Sequence, residues 1–418
     1  MSFSINMGKI KVFLFGFALF GYGAVSFLIS DASSSRMVTI PYRAIILILS
    51  FCVILFSLNK TSQRIKKQDL SLQTTASLLQ IVYLIIFIFI FMYSLRLLLE
   101  ISALDNLLVK PSSEYLLRWF CLCIIPGLSF LFINSKQSQS YLNCSWLFLS
   151  ITSLLILQLD PQESQSFIEQ GRLSTPGLNP ISLAHTGVSL ILISTFIFLK
   201  YNKKKLGIAF QLICFITLFI GCYVTSLGAS RGPAIALFIG LLLLFIGAIH
   251  NSTKPLKFLV IILAGLIGLA STSGLAVRIG SSFLYRVSGI FAPGSGINPT
   301  DSLRIEWLQT SKELILDNLM LGYGLELPEV GYPHNIVVEA FLSTGIFGGI
   351  IFTFIYFYSI LKALYLIFND WVNWGWLGII YIQYAIVVIV SGSLYNSNIF
   401  WCLLFAVISR RKVRHNSI

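Results

Sequence analysis

Charged residues are scarce in this chain of 418 residues, of which they make up 11%. Soluble globular domains carry about 25%, so an ordinary soluble protein is excluded. Cysteine is also sparse: the seven cysteines include no Cys-x-x-Cys pair, and Cys121-Leu-Cys123 has a spacing unsuited to metal ligation. The sequence therefore predicts no disulfide framework, no metal site and no cofactor.

Hydrophobic residues are abundant instead, at 56% of the chain. They form runs of about 17–25 residues, the length at which an α-helix crosses the hydrocarbon core of a bilayer. Strands of a β-barrel would be shorter and would alternate with polar residues. The sequence predicts an all-α, polytopic integral membrane protein, with one transmembrane domain over 1–418 and about 12 transmembrane helices. The predicted spans are 12–30, 42–58, 74–95, 116–133, 141–158, 178–199, 206–227, 232–250, 258–276, 336–361, 372–391 and 394–409.

Basic residues predict the orientation, because loops that stay in the cytoplasm are enriched in Lys and Arg. With both termini cytoplasmic, most of the 29 Lys and Arg lie inside, and of the 16 acidic residues only Asp69 and Asp370 do. Topology then explains the net charge of +13, and no nucleic acid partner is expected. The inner basic residues are Lys9, Lys11, Lys60, Arg64, Lys66, Lys67, Lys136, Lys200, Lys203, Lys204, Lys205, Lys254, Lys257, Lys362, Arg410, Arg411, Lys412 and Arg414.

The outer cations differ in kind from the inner ones. Only Lys110 and Lys312 are lysines, and the others are arginines. The planar guanidinium of Arg binds phosphate or carboxylate at two points, which an ammonium group does not. Membrane anchoring explains some of these residues, such as Arg36, Arg43 and Arg96. It explains the arginines near the later loops less well, and for these we expect a role in binding phosphate or carboxylate.

The longest outer loop is 277–334. Its stretch DSLRIEWLQTSKELILDN, residues 301–318, predicts a helix that lies on the membrane surface or covers the bundle. Arg304 and Lys312 are expected on other faces than the apolar stripe. The alternative is that Arg304 is an ordinary surface arginine with no special role. The predicted stripe consists of Leu303, Trp307, Leu308, Leu314 and Ile315.

A second polar point is GASRGPAIAL, residues 228–237, between two predicted spans. Pro233 suits the first turn of a new helix. A helix N-terminus beside Arg231 favours an anion. The alternative is that Arg231 only reaches to the membrane interface.

The third polar point is YPHNIVVEAFLSTGIFGG, residues 332–349. Either His334 or Asn335 could cap the apolar helix that follows, and capping alone would explain the histidine. Glu339 lies one turn deeper, where a carboxylate is costly unless it is paired. It could orient His334, pair with an arginine or act as a base. Gly345 and Gly348 would let a neighbouring helix pack closely.

These motifs carry a family resemblance. His334-Asn335, followed by Gly345 and Gly348, resembles the signature of the O-antigen ligase and O-antigen polymerase superfamily. Three further stretches are similar to this family in the same order, and together they define a core over 172–361, whereas the first 170 residues match only in being apolar. They are GLNPISLAHTG (177–187), SRGP (230–233) and LRIEWLQTSKELILDNLMLGYG (303–324).

The resemblance implies a glycosyltransferase of the C type in the bacterial inner membrane, acting in O-antigen, capsule or exopolysaccharide biosynthesis. It would transfer a glycan from undecaprenyl pyrophosphate to an acceptor sugar hydroxyl on the periplasmic side, with inversion and without a metal. Arg231 and Arg304 are expected to stabilise the pyrophosphate, and His334 to accept the proton. Weaker candidates for substrate binding are Asn335, Glu339, Arg172, Arg278 and Arg286.

The acceptor separates two activities within the family. A polymerase uses another lipid-linked repeat unit and a ligase uses lipid A–core; chain-length control would need a regulator protein as a further partner. The loop 277–334 is compact for a ligase, so we favour the polymerase, and the ligase stays open. A flippase or other transporter is the alternative from another class, but it would keep ionisable residues deep in the membrane, where this sequence has very few.

The predicted orientation can be tested with tags. A tag inserted after Gly294 should be labelled from the periplasm, because it falls in the long outer loop. A tag after Lys204 should be protected, because it falls in a cytoplasmic loop rich in lysine. The measurement is labelling of intact cells with an impermeant reagent, and the opposite pattern would refute the orientation.

Overall fold

The computed structural model describes residues 6–30, 34–65, 76–104, 108–200, 207–251, 255–291, 299–328 and 330–410. Within these ranges the regular structure is helical, apart from one isolated bridge between Leu327 and Gly331. We number the helices α1 Met7–Leu28, α2 Ser35–Ile65, α3 Ala76–Leu104, α4 Ser112–Leu116 continued by Leu117–Ile124 and Ile125–Phe130, α5 Ser138–Ile156, α6 Gln165–Gln170, α7 Pro180–Lys200, α8 Ile208–Gly228, α9 Arg231–Asn251, α10 Pro255–Arg278, α11 Phe283–Phe291, α12 Pro299–Asp317, α13 Ile336–Asn369, α14 Trp371–Ser391 and α15 Asn398–Ile408.

Among the described residues, eight helices are long and apolar enough to cross a membrane. This confirms a polytopic, all-helical membrane protein. The other four predicted spans coincide with α4, α5, α10 and α15, so all the predicted regions are helical although fewer meet the criteria of a span. The eight are α1, α2, α3, α7, α8, α9, α13 and α14.

The helices differ in how far they are enclosed by their neighbours. In the most apolar stretch of α7, 78% is buried by the rest of the protein, and in that of α14 72%, whereas in α2 only 28% is buried. The outward side chains of α2 and α3 are mostly Ile, Leu and Phe, as expected for a surface in contact with lipid. Helices α7 and α14 are therefore fixed in the centre of the bundle.

A seam of small residues brings α7 and α8 together as antiparallel neighbours. A Cβ atom added at Gly187 would lie 2.6 Å from the carbonyl oxygen of Gly221. One added at Gly228 would lie 2.7 Å from the carbonyl oxygen of Pro180. Because side chains are missing at these points, the backbones pack closely. This packing places the start of α7 beside the turn that joins α8 to α9.

Helix α13 is interrupted at Gly345, which has φ 67° and ψ −166°. The returning loop 319–324 packs against the break. The N–H of Tyr323 donates to the carbonyl of Leu342 at 2.7 Å, and the N–H of Ile346 donates to the carbonyl of Leu319 at 2.8 Å. The prediction that a neighbouring helix packs against Gly345 was therefore wrong, because a loop packs there instead.

Gly348 does lie beside a neighbouring helix. A Cβ atom there would lie 3.4 Å from the Cε atom of Met92 of α3, which is an ordinary contact, and 2.0 Å from Oγ1 of Thr344, one turn earlier in α13. The two glycines of the motif therefore have different roles: Gly345 breaks the helix, and Gly348 makes room for the side chain of Thr344.

Helix α12 begins and ends within two residues of the predicted bounds, but the predicted stripe is partly wrong. Leu303 and Leu308 are exposed, whereas Ser311 is fully buried and Arg304 is half-buried on the side that carries Trp307. The hydroxyl of Ser311 donates to the carbonyl of Trp307 at 2.6 Å, so it can be buried at little cost. The inner face of α12 is polar because it borders a cavity.

Replacing Gly345 by alanine should destabilise the protein by about 2 kcal/mol or more. A Cβ atom there would lie 2.2 Å from the carbonyl oxygen of Met320, at a positive φ. The measurement is thermal unfolding in detergent. The matched control is Gly274→Ala in α10, where a Cβ atom would meet nothing within 4 Å. Equal melting temperatures for the two variants would contradict the role of the break.

Candidate functional site

A cavity of about 240 Å³ opens at one end of the bundle. It lies where α7 and α9 begin and where α14 ends, and the loop before α7 and the helices α11 and α12 complete its wall. The ends of three helices therefore meet at one polar region. Its lining consists of Arg172, Ile181, His185, Ser230, Arg231, Gly232, Pro233, Ile235, Arg286, Arg304, Val387, Val390 and Ser391.

Four arginines from four separate segments line this cavity. Arg172 precedes α7, Arg231 begins α9, Arg286 belongs to α11 and Arg304 belongs to α12. Among the described residues of the lining there is no Asp or Glu. The N-terminus of α9 adds the positive end of a helix dipole. The cavity is accordingly suited to a ligand with several negative charges.

Helix α11 positions the side chain of Arg231. The Nε atom of Arg231 donates to the backbone carbonyl of Arg286 at 3.1 Å. A Cβ atom added at Gly289, one turn further along α11, would lie 3.2 Å from Nη2 of Arg231. The carbonyl thus holds one edge of the guanidinium, and the glycine leaves room for the other.

Arg172 lies among other cations. Burial, and then the charges of Arg286 and Arg304, lower the pKa of Arg172 to about 10. The group stays charged at neutral pH, since its pKa remains well above 7. The segment that carries Arg172 is anchored to the end of α8, because the N–H of Leu173 donates to the carbonyl of Leu227 at 2.9 Å. The repulsion among these arginines would be relieved by a bound anion.

His334 is half-buried beside the cavity, between two aromatic rings. Its ring centroid lies 5.1 Å from that of Trp307 and 4.3 Å from that of Tyr332. Burial, and then the charge of Arg304, lower the pKa of His334 to about 4. The imidazole is therefore neutral at pH 7 and can accept a proton. Its buried Nδ1 has no hydrogen-bond partner among the residues that the structure describes.

The backbone is strained at two of the predicted polar motifs, 228–237 and 332–349. Over the described ranges, the non-glycine residues with positive φ are Ala229, at 42°, and His334, at 56°. A left-handed conformation costs an L-residue about 1–2 kcal/mol. Such strain is found where the surrounding structure requires one conformation, often at functional sites. Here Ala229 makes the turn before Arg231, and His334 makes the turn before α13.

Asn335 and Glu339 lie in the first turn of α13 or just before it. Asn335 caps the helix, since its Oδ1 accepts from the N–H groups of Val337 at 3.0 Å and Val338 at 3.1 Å. Glu339 is fully buried. It accepts from the hydroxyl of Tyr93 at 3.3 Å and from the N–H of Leu394 at 2.8 Å.

The surroundings of Glu339 bear on its predicted roles. Its two oxygens are directed to Tyr93 and Leu394, so in this structure it does not orient His334. No salt bridge joins it to an arginine of the described chain. A part in substrate binding stays a prediction for Asn335 and Glu339.

Arg278 is the sequence-predicted arginine of the site that lies outside the cavity. It ends α10, where its side chain is exposed, and it is not among the lining residues. The structure thus brings together Arg172, Arg231, Arg286 and Arg304; His334, Asn335 and Glu339 are not lining residues, and His334 is close enough to Arg304 for that charge to lower its pKa.

Sequence reasoning did not single out three residues at the site. His185 of α7 lines the cavity, and Trp307 and Tyr332 enclose His334. A histidine inside an apolar helix, near the end that carries the other polar motifs, was the signal that could have identified His185. The two aromatic residues gave no signal of their own: the contact of Trp307 with His334 joins two segments far apart in the chain, and Tyr332 is only two residues from His334.

Comparison with known protein families agrees with the motifs. Residues 213–353, about a third of the chain, match the family model described as O-antigen ligase. The match confirms the predicted resemblance and includes Arg231, Arg286, Arg304 and His334, but it begins after Arg172. No curated protein matches the chain.

Replacing Arg304 by glutamine should raise the pKa of His334 in the empty protein. The removed positive charge disfavours protonation of the imidazole, so its loss favours the protonated form. The pKa should stay below its ordinary value because burial persists. Histidine NMR signals measured against pH in lipid nanodiscs would report it.

The control for this titration is Lys312→Gln, which removes an exposed charge from the same helix. It should leave the pKa of His334 in place. An equal shift in the two variants would show that Arg304 has no specific effect on His334.

Proposed function

We propose that this membrane protein with an O-antigen ligase domain is a glycosyltransferase. It transfers a glycan from undecaprenyl pyrophosphate to a sugar hydroxyl, on the periplasmic side of the bacterial inner membrane. The observation that carries the proposal is the cavity lined by four arginines beside a neutral histidine. A lipid pyrophosphate supplies the negative charge that such a cavity favours.

The reaction proceeds by inverting displacement at the anomeric carbon. The acceptor oxygen forms a bond to this carbon while the bond to the pyrophosphate oxygen breaks, and His334 takes the proton of the acceptor hydroxyl. The pyrophosphate leaves with the electron pair of the broken bond. Arg231 and Arg304, with Arg172 and Arg286, stabilise the growing charge on the leaving group. The positive charge comes from these side chains, so the mechanism invokes no metal ion.

Substrate binding would also activate the base. In the empty site, burial and Arg304 keep the pKa of His334 at about 4, which makes it a weak base. A pyrophosphate beside Arg304 offsets that positive charge and raises the pKa of His334 toward neutrality. The imidazole thereby becomes a better proton acceptor when the donor substrate is present, which limits wasteful chemistry in its absence.

Between the two acceptors we favour a second lipid-linked repeat unit, that is, a polymerase. The outer loop 277–334 is compact for a protein that must also hold lipid A–core. The ligase is the other candidate, because both activities need the same arginines and the same base. A chain-length regulator would be a further partner of a polymerase.

A transporter is less well supported. The four arginines of the cavity gather at one end of the bundle, and the cavity is built from helix ends and loops. An alternating-access transporter would place its binding residues near the membrane midplane. The arrangement suits chemistry at one membrane face.

The proposal predicts that His334→Ala and Arg231→Ala remain folded but lose glycan transfer. Loss of the base alone should lower the rate by about 100-fold or more. The assay uses the protein in liposomes with undecaprenyl-pyrophosphate-linked repeat units and no lipid A–core, with the products separated on a gel. A ladder of longer glycans identifies a polymerase. Transfer only after lipid A–core is added identifies a ligase.

The chain offers matched controls for both variants. His250→Ala removes a histidine at the opposite end of α9, and Arg36→Ala removes an exposed arginine of α2 outside the cavity. Both should transfer glycan at the wild-type rate. Normal product formation by His334→Ala and Arg231→Ala would refute the mechanism.

A further inference from the structure

His185 is a buried histidine of the cavity to which the mechanism above gives no task. It lies in the second turn of α7 and is 4% exposed, and it shares the cavity wall with the four arginines. Its Nε2 is buried and has no hydrogen-bond partner among the residues that the structure describes. Nearly all buried polar atoms in proteins have a partner, so this atom calls for one beyond the described residues.

The opposite edge of the imidazole is held by Gln383 of α14. The side-chain Nε2 of Gln383 donates to the backbone carbonyl of His185 at 3.2 Å and lies 3.5 Å from Nδ1 of the ring. A carbonyl oxygen can only accept, so the NH₂ end of the amide must face His185. The hydroxyl of Ser189 lies 2.9 Å from this nitrogen and 3.1 Å from the amide oxygen, and it can donate or accept. It therefore permits this orientation.

The orientation of the amide determines the tautomer of the histidine. The amide nitrogen of Gln383 beside Nδ1 cannot accept a hydrogen bond, so a proton on Nδ1 would face a donor and find no acceptor there, which favours an unprotonated Nδ1. A neutral imidazole has one proton, which then resides on Nε2. The atom without a partner is accordingly a hydrogen-bond donor.

We propose that the Nε2–H group of His185 donates a hydrogen bond to a phosphate oxygen of the pyrophosphate that binds in the arginine cavity. This proposal rests on the proposed function, whose donor substrate supplies the pyrophosphate. Gln383 is a positioning residue, since it acts on the substrate only through the tautomer of His185.

A neutral donor complements the arginines in a way that a further cation would not. Another positive charge would be repelled by the four guanidinium groups and would be costly inside an apolar helix. A fixed N–H adds direction without charge, and phosphate oxygens can only accept. The opposite tautomer would direct a lone pair at the phosphate, which would repel it.

Binding of pyrophosphate to two variants tests the proposal. His185→Met removes the donor while keeping an apolar side chain of similar length. His185→Gln restores an N–H group at a similar reach. The affinities are measured by calorimetry in nanodiscs, with undecaprenyl pyrophosphate and with inorganic pyrophosphate as probes. Tighter binding of the lipid than of the inorganic ion would identify the lipid as the source of the phosphate.

His185→Met should weaken the binding of both probes by about tenfold or more, as for a lost hydrogen bond to a charged group. His185→Gln should recover most of the affinity. If Arg231→Gln weakens binding while His185→Met binds like the wild type, the role of His185 is refuted and the arginine cavity stands. If the wild type binds neither probe, the proposed function fails, and this proposal fails with it.

A second measurement reads the tautomer in the wild-type protein and uses variants only for assignment and comparison. Nitrogen NMR of labelled histidines distinguishes Nε2–H from Nδ1–H, and His185→Gln assigns the signal by its loss. We expect the Nε2–H form, with a shift of its signal on addition of pyrophosphate. Gln383→Met should let the other tautomer appear. Finding Nδ1–H in the wild type would refute the proposal even if pyrophosphate binds.

Discussion

The site depends on how one interrupted helix satisfies its backbone. Apolar surroundings offer no water to bond free N–H and C=O groups, so a break within a helix needs partners from the chain itself. At Gly345 the loop 319–324 supplies them, with bonds of 2.7 and 2.8 Å to Leu342 and from Ile346. This loop joins α12 to the segment before α13, so the break ties the helix of Arg304 to the turn of His334.

The arginine cavity follows from a second constraint, the close packing of α7 on α8. The seam at Gly187 and Gly221 places the start of α7 against the turn that leads to Arg231. Helix α11 then holds Arg231 through the carbonyl of Arg286. Cations from distant parts of the chain are thus collected at one end of the bundle, where burial, and then their charges, lower the pKa of Arg172 and of His334. A bound anion would relieve the repulsion among these cations.

Much of the fold was readable from the sequence. Apolar runs located every helix that is long and apolar enough to cross a membrane, because such a helix must be apolar over most of its length. The periodicity of α12 gave its bounds but the wrong face, since Leu303 and Leu308 are exposed while Arg304 and Ser311 turn inward. An apolar stripe on a helix predicts that this side is buried in a core. Helix α12 instead covers a polar cavity.

The sequence by itself determined the membrane character, the helices and the motif residues, because length, hydropathy and short-range spacing are local properties. Only the tertiary structure decided which arginines share a cavity. It excluded Arg278, joined Arg172 and Arg286 to Arg231 and Arg304, and added His185. It also turned Glu339 toward Tyr93 and Leu394. These outcomes depend on contacts between segments far apart in the chain, which close packing and hydrogen-bond satisfaction select and which no local pattern encodes.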